Sequence, residues 1–170
     1  MANQPIIDSR QHDDLTSDLG NPWRLVTNQV MGGISKGELR ADSHAGRPCI
    51  RLTGTVSTKN NGGFVQMALD INGQAYDANS YRGLVLQVAG NREVYNLHLR
   101  TSDLSLPWQS YRATFSAGPE WQQVRIPFQQ LEAYRTSSRF RAEALTRIGL
   151  VAIGREFDAN LCLADVRFYP

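Results

Sequence analysis

Lysine is nearly missing from this sequence: of its 18 basic residues only Lys36 and Lys59 are lysines, and the rest are arginine. With 16 acidic residues against them the net charge is +2, which by itself implies no strong polyelectrolyte partner. No RNA-binding motif is present either, so no nucleic acid is expected. No apolar run approaches the roughly 20 residues needed to cross a bilayer, so no transmembrane segment is expected. The opening "MANQPIIDSRQHDD" has no basic start followed by an apolar stretch, which argues against a secretory signal and predicts a cytoplasmic protein, or the mature form of something processed earlier.

Catalytic and cofactor signatures are scarce too. There are two cysteines, Cys49 and Cys162, in the apolar runs "RPCIRL" and "NLCLADV", with no C-x-x-C spacing. They read as buried free thiols, and a disulfide would require neighbouring strands. His12, His44 and His98 share no metal-ligand spacing, and no G-x-S-x-G occurs. No enzymatic activity, no cofactor and no catalytic metal is expected. A structural calcium ion, if held, has Asp8 and Asp165 as candidate ligands near the two ends of the chain.

What the sequence does have is alternation. "FVQMALDI" (64–71) sets Val65, Met67, Leu69 and Ile71 against Gln66, Ala68 and Asp70. "VYNLHLR" (94–100) sets Tyr95, Leu97 and Leu99 against Asn96, His98 and Arg100. "YRATFS" (111–116) and "QQVRIPF" (122–128) alternate in the same way, and Pro127 suggests an edge or a strand end. "GLVLQVAG" (83–90), "RIGLVAIG" (147–154) and "LCLADVRFY" (161–169) read as buried strands. Many short period-two segments separated by turns mean an all-β sandwich or barrel, here a single domain over residues 1–170. Turns are expected at "LGNP", "SKGE", "SHAGRP", "NNGG", "INGQ", "AGNRE" and "SAGPE". Helix is limited to one or two short pieces, over 128–135 and 140–147.

Two glycine pairs stand out, Gly32–Gly33 in "VMGGIS" and Gly62–Gly63 in "NNGGF". Neither fits a phosphate-binding pattern, and no helical pattern follows the first. They read as structural turns or bulges, where glycine permits positive φ or close backbone approach.

The candidate binding surface is polar. Gln87, Asn96, His98, Arg100, Arg112, Thr114, Gln123 and Arg125 fall opposite the apolar positions of the middle strands, and Trp108 and Tyr111 flank the loop "SDLSLPWQSY". If these strands share a sheet, it has one packed face and one Arg-rich face able to take a peptide or a sugar. The plain alternative is a solvated face of an antiparallel sheet.

The stretch "WRLVTNQVMGGISKG" (23–37) resembles the opening of the complex I intermediate-associated protein family, the thirty-kilodalton assembly-factor domain. "LTGTVSTKNNGGF" (52–64) is similar to its second block. "YRGLVLQV", "YNLHLRT", "WQQVRIPF", "IGL" and "LADVRFY" fit its later strands, so the resemblance runs over about residues 6–169. It implies a galactose-binding-like jelly-roll β-sandwich and a non-enzymatic domain. The family's mitochondrial members act as chaperones in assembling respiratory complex I. The expected partners are therefore proteins, respiratory complex subunits among them, with a jelly-roll carbohydrate-binding module as the alternative.

Overall fold

The computed structural model describes residues 5–31, 33–59, 63–71 and 75–170. Among the described residues twelve strands form two antiparallel sheets: β1 (Ile6–Asp8), β2 (Arg24–Thr27), β3 (Lys36–His44), β4 (Arg47–Val56), β5 (Phe64–Asp70), β6 (Gly83–Gly90), β7 (Glu93–Thr101), β8 (Ser110–Ala117), β9 (Gln122–Pro127), β10 (Glu132–Tyr134), β11 (Leu145–Ile153) and β12 (Phe157–Tyr169). The first sheet runs β3-β4-β12-β6-β9, with β1 pairing onto β12. The second runs β10-β8-β7-β11-β5-β2. This is the β-sandwich that the alternation predicts.

The core lies between the sheets and comes from one face of each strand. Leu52, Leu84, Leu86, Val166 and Phe168 meet Val65, Met67, Leu97, Leu99, Ile148 and Leu150, all buried. Trp23 is buried beside them, and its indole N–H donates to Asp8 at 2.7 Å. On the outer face of the first sheet Cys49 and Cys162, both free, pack against one another and Ala164 under Trp121. They sit on neighbouring strands, since β4 pairs with β12.

Several local expectations change. The segments 128–135 and 140–147 supply only the 3-10 turns Phe128–Gln130 and Ala142–Ala144. Pro127 enters the first at an extended ψ of 145°. Beyond that turn Glu132–Tyr134 gains more by pairing with β8 than a lone helical turn offers. "SKGE" is not a turn, because Lys36–Glu38 opens β3. Gly37 serves close packing there: a β-carbon on it would lie 2.5 Å from Val65 Cγ1. "SHAGRP" is a tight hairpin turn, with φ of 50° at Ala45 and 79° at Gly46.

Of the two glycine pairs, Gly32 and Gly62 lie outside the described residues, as do residues 72–74 of "INGQ". Gly33 and Gly63 both serve close approach. A β-carbon on Gly33 would fall 1.7 Å from Asn28 Nδ2. The loops carrying the two pairs also touch: Ser57 N–H donates to Ser35 Oγ at 3.0 Å, and Ser35 Oγ–H to Ser57 O at 3.2 Å.

Candidate functional site

The register fixes which polar residues share a surface. On the outer face of the second sheet one row runs Glu132, Arg112, His98, Gly149, Ala68, Arg24 across the six strands. The next holds Tyr134 and Ser110 on one side and Arg100, Arg147 and Asp70 on the other. A third carries Thr114, Asn96, Val151, Gln66 and Val26. Asn96, His98, Arg100, Arg112 and Thr114 are thus brought together.

Gln87, Gln123 and Arg125 are not part of this surface. They lie in β6 and β9 of the first sheet, where Gln87 Nε2 donates to Gln123 Oε1 at 3.1 Å and Arg125 covers the Tyr169 ring at 4.7 Å. The single polar face expected from alternation is therefore two faces, because the strands of each sheet are not consecutive in sequence. Tyr111 is withdrawn as well. Its ring is 1% exposed, packs edge-on against Phe140, and its hydroxyl donates to Ser138 O at 2.9 Å.

Arg100 is an organiser of backbone. Its guanidinium donates to the carbonyls of Leu106 (2.9 Å) and Gln109 (2.5 Å), and at longer range to those of Leu104 and Pro107 (3.4 Å each). Burial, then the nearby Arg147, pushes its pKa below the ordinary arginine value. These bonds gather the loop that presents Leu106 and Trp108, which are 40% and 48% exposed at one end of the face. Arg147 instead donates to Asp70 Oδ1 at 2.7 Å, and Asp70 also accepts from Arg24 at 2.9 Å.

The centre of the face is tight. The Gln66 amide lies over Gly149, where a β-carbon would come within 2.0 Å of Gln66 Oε1. His98 is buried beside it, and its Nε2 has no hydrogen-bond partner among the described residues. Burial first, and Arg112 second, push its pKa down to about 3, so the imidazole is neutral at physiological pH. Arg112 is half-buried. Its Nε donates to Ser110 Oγ at 2.8 Å and its guanidinium sits 3.5 Å from the centre of the Tyr134 ring. Sequence reading passed over Tyr134 and Arg135 because it placed them in a helix.

Two clefts lie away from this centre. One of about 570 Å³ opens along β2 and β3, lined by Arg24, Leu25, Val26, Thr27, Gln29, Lys36 and Gly37. Another of about 430 Å³ includes Ile34, Lys59 and Phe157. Both are open: the first runs along the edge strands β2 and β3, and the second lies where β4 ends and β12 begins. The face holding the orphaned Nε2 of His98 is the stronger candidate, because a buried polar atom without a partner among the described residues calls for an explanation that an open groove does not. The calcium candidates are already engaged by cations: Asp8 by Arg10 at 2.9 Å, and Asp165 by Arg167 Nε at 2.8 Å. Among the described residues no three His, Cys, Asp or Glu side chains cluster as metal ligands.

The profile of the family described as Complex I intermediate-associated protein 30 (CIA30) matches residues 8–163. No curated protein sequence matches the chain. Among solved structures it is similar to the family 11 carbohydrate-binding module of a cellulosomal cellulase of Clostridium thermocellum. The TM-score is 0.79 at 9% identity, over 99% of this chain and 95% of that one. The same module bound to a β-1,3-1,4-mixed-linked tetrasaccharide superposes with a TM-score of 0.78 at 9% identity, over 99% and 96%. The family 30 module of another cellulosomal cellulase of that organism gives 0.67 at 14% identity, over 96% of each chain. At these identities the structural likeness establishes the jelly-roll fold and nothing finer.

Proposed function

Starting from the chain's membership of the complex I intermediate-associated protein 30 family, we propose that it is a non-catalytic binding domain that helps assemble a respiratory, complex I-like membrane complex. The observation that carries this reading is the length of the family match, residues 8–163, which takes in strands of both sheets. The partner surface in this proposal is the outer face of the second sheet, around Asn96, His98 and Arg112. Its half-buried arginine and orphaned imidazole favour a partner that brings its own polar groups. No helix among the described residues is long and apolar enough to cross a membrane, so the domain meets such a complex from a soluble compartment in this reading, and the cytoplasm is the proposed one.

Affinity capture from detergent-solubilised membranes and cytosol, read by mass spectrometry, tests the proposal. Respiratory subunits recovered by wild type and lost with Asn96→Glu/Arg112→Glu are the expected result. Recovery of the same subunits by a folded double variant would remove the face from the proposal, and their absence with wild type would remove the assembly role.

A second reading, a carbohydrate-binding module, is favoured by the likeness of backbone to the Clostridium modules and by the exposed indole of Trp108. Against it, the Tyr134 ring is covered by Arg112 and not open for stacking on a sugar. A glycan array on which wild type binds and Trp108→Ala does not would establish this second reading.

A further inference from the structure

Tyr134 carries two arginines. Arg112 stands 3.5 Å from the ring centre, Arg135 stands 5.3 Å from it, and Arg135 Nε also donates to the phenolic oxygen at 3.1 Å. Neither guanidinium forms an ion pair with any described residue. The carboxylate closest in register, Glu132 opposite Arg112, is exposed and remains unpaired with it. Arg112 is also held in place. Ser110 Oγ ties down its Nε, the Tyr134 ring backs its plane, and its terminal nitrogens have no hydrogen-bond partner among the described residues. Beside it the Nε2 of His98, a residue 9% exposed, is a buried polar atom without a partner among the described residues.

Two neighbouring guanidiniums without a counter-ion repel one another, and an unpartnered buried polar group is costly. An incoming oxyanion relieves both. The fixed fork of Arg112 matches a carboxylate in bidentate fashion, and Arg135 supplies a second cation beside it. His98, opposite Arg112 in register, adds Nε2, which in the neutral ring with its proton on that nitrogen is a donor.

We propose that Arg112, Arg135, Tyr134 and His98 form a receptor for carboxylates presented by an acidic segment of a partner polypeptide. This rests on the reading of the domain as a protein-binding assembly factor and names the chemistry of the partner. A polypeptide source follows from that reading, and its charge from complementarity: Arg112 and Arg135, both on the Tyr134 ring and without an ion pair among the described residues, match the carboxylates of an acidic segment.

The test uses purified protein and a fluorescein-labelled decaglutamate peptide, with binding followed by anisotropy at low and moderate salt. Wild type is expected to bind, with affinity falling as salt rises. Arg112→Gln/Arg135→Gln is expected to weaken binding by about tenfold or more, as loss of a bidentate charge-assisted contact requires. Tyr134→Phe, which keeps the ring, is expected to retain binding, and Tyr134→Ala to lose it. Arg47→Gln, which removes a cation stacked on Trp121 elsewhere on the surface, is expected to leave binding unchanged. Circular dichroism melts confirm that each variant is folded. Equal binding by the double variant, or an equal loss with Arg47→Gln, would overturn the site. Failure of wild type to bind decaglutamate, or binding of polygalacturonate in its place, would overturn the acidic-polypeptide assignment. Because no cellular partner is involved, these outcomes are independent of the capture experiment, and each reading can fail alone.

Discussion

A β-carbon placed on Gly63 would lie 1.9 Å from the carbonyl oxygen of Ser57, so the two stretches of backbone touch directly. The obstacle is main chain and cannot rotate away. Gly63→Ala is therefore expected to destabilise the fold by about 2–3 kcal/mol, in the range of overpacking substitutions. Gly118 is the control, since its nearest obstacle is Gln122 Oε1 at 3.8 Å. Gly118→Ala is expected to change stability by less than about 0.5 kcal/mol. Urea unfolding midpoints of the two variants check the contrast, and equal midpoints would refute the backbone contact.

Tyr95 joins the sheets through its hydroxyl. It donates to Asn91 Oδ1 at 2.5 Å and accepts from Asn160 N–H at 3.0 Å, while its ring packs on Phe115 and Phe157. Tyr95→Phe keeps the ring and orphans that N–H. A loss of about 1–3 kcal/mol is expected, the usual cost of an unsatisfied buried donor. Burial pushes the phenol up to about 12, so an absorbance titration should find one tyrosine ionising well above the ordinary range, absent in Tyr95→Phe.

His98 predicts a specific acid sensitivity. Its folded pKa, pushed down to about 3, lies below the ordinary 6.5. Between these values the unfolded chain binds a proton that the folded chain refuses, so stability falls as pH falls through this window. About 2–3 kcal/mol should be lost between pH 7 and pH 4.5 through this residue. The lowered carboxylates, Asp70 among them, lose most of their contribution as pH falls through 3.8 and below, and add only a minor part above pH 4.5. Urea unfolding across the window should show a much shallower slope for His98→Gln than for wild type, whatever the variant's absolute stability. Identical slopes would mean that the imidazole titrates normally in the folded protein.

The Asp8–Arg10 ion pair is almost fully buried, with side chains 2% and 3% exposed, and Trp23 donates to the same carboxylate. Asp8→Asn is expected to cost about 3–5 kcal/mol, because it strands a buried guanidinium. Replacing both partners, Asp8→Leu/Arg10→Met, should recover part of this. With the guanidinium already seated on the carboxylate, calcium or a chelator should leave the melting temperature unchanged. A rise in melting temperature with calcium would show that the metal competes for Asp8.

Alternation in the sequence read the strands well. β5, β7 and β8 each bury the face that their period-two pattern assigns, because a two-layer sandwich buries one side of every strand. It did not say which strands are neighbours. β6 and β7 are separated only by Asn91 and Arg92 yet belong to different sheets, so Gln87 and Asn96 part company. Arg100 looked like a binding residue because it is charged, but long side chains reach nearby carbonyls that periodicity does not register. Tyr134 and Arg135 were hidden by the brevity of β10, three residues that "FQQLEAYR" disguises as helical. Their role comes from pairing with β8, a contact made across the fold.

β12 is the last of the described strands in sequence and also lies at the middle of the first sheet, pairing with β4, β6 and β1. During synthesis every other strand leaves the ribosome before it. Until then β4 and β6 present unpaired edges, an arrangement that invites mispairing with other chains. Newly made molecules therefore pass through a vulnerable interval that ends only when the last segment emerges and threads between strands already waiting for it. A protein proposed to shelter unfinished assemblies is, for that interval, an unfinished assembly itself.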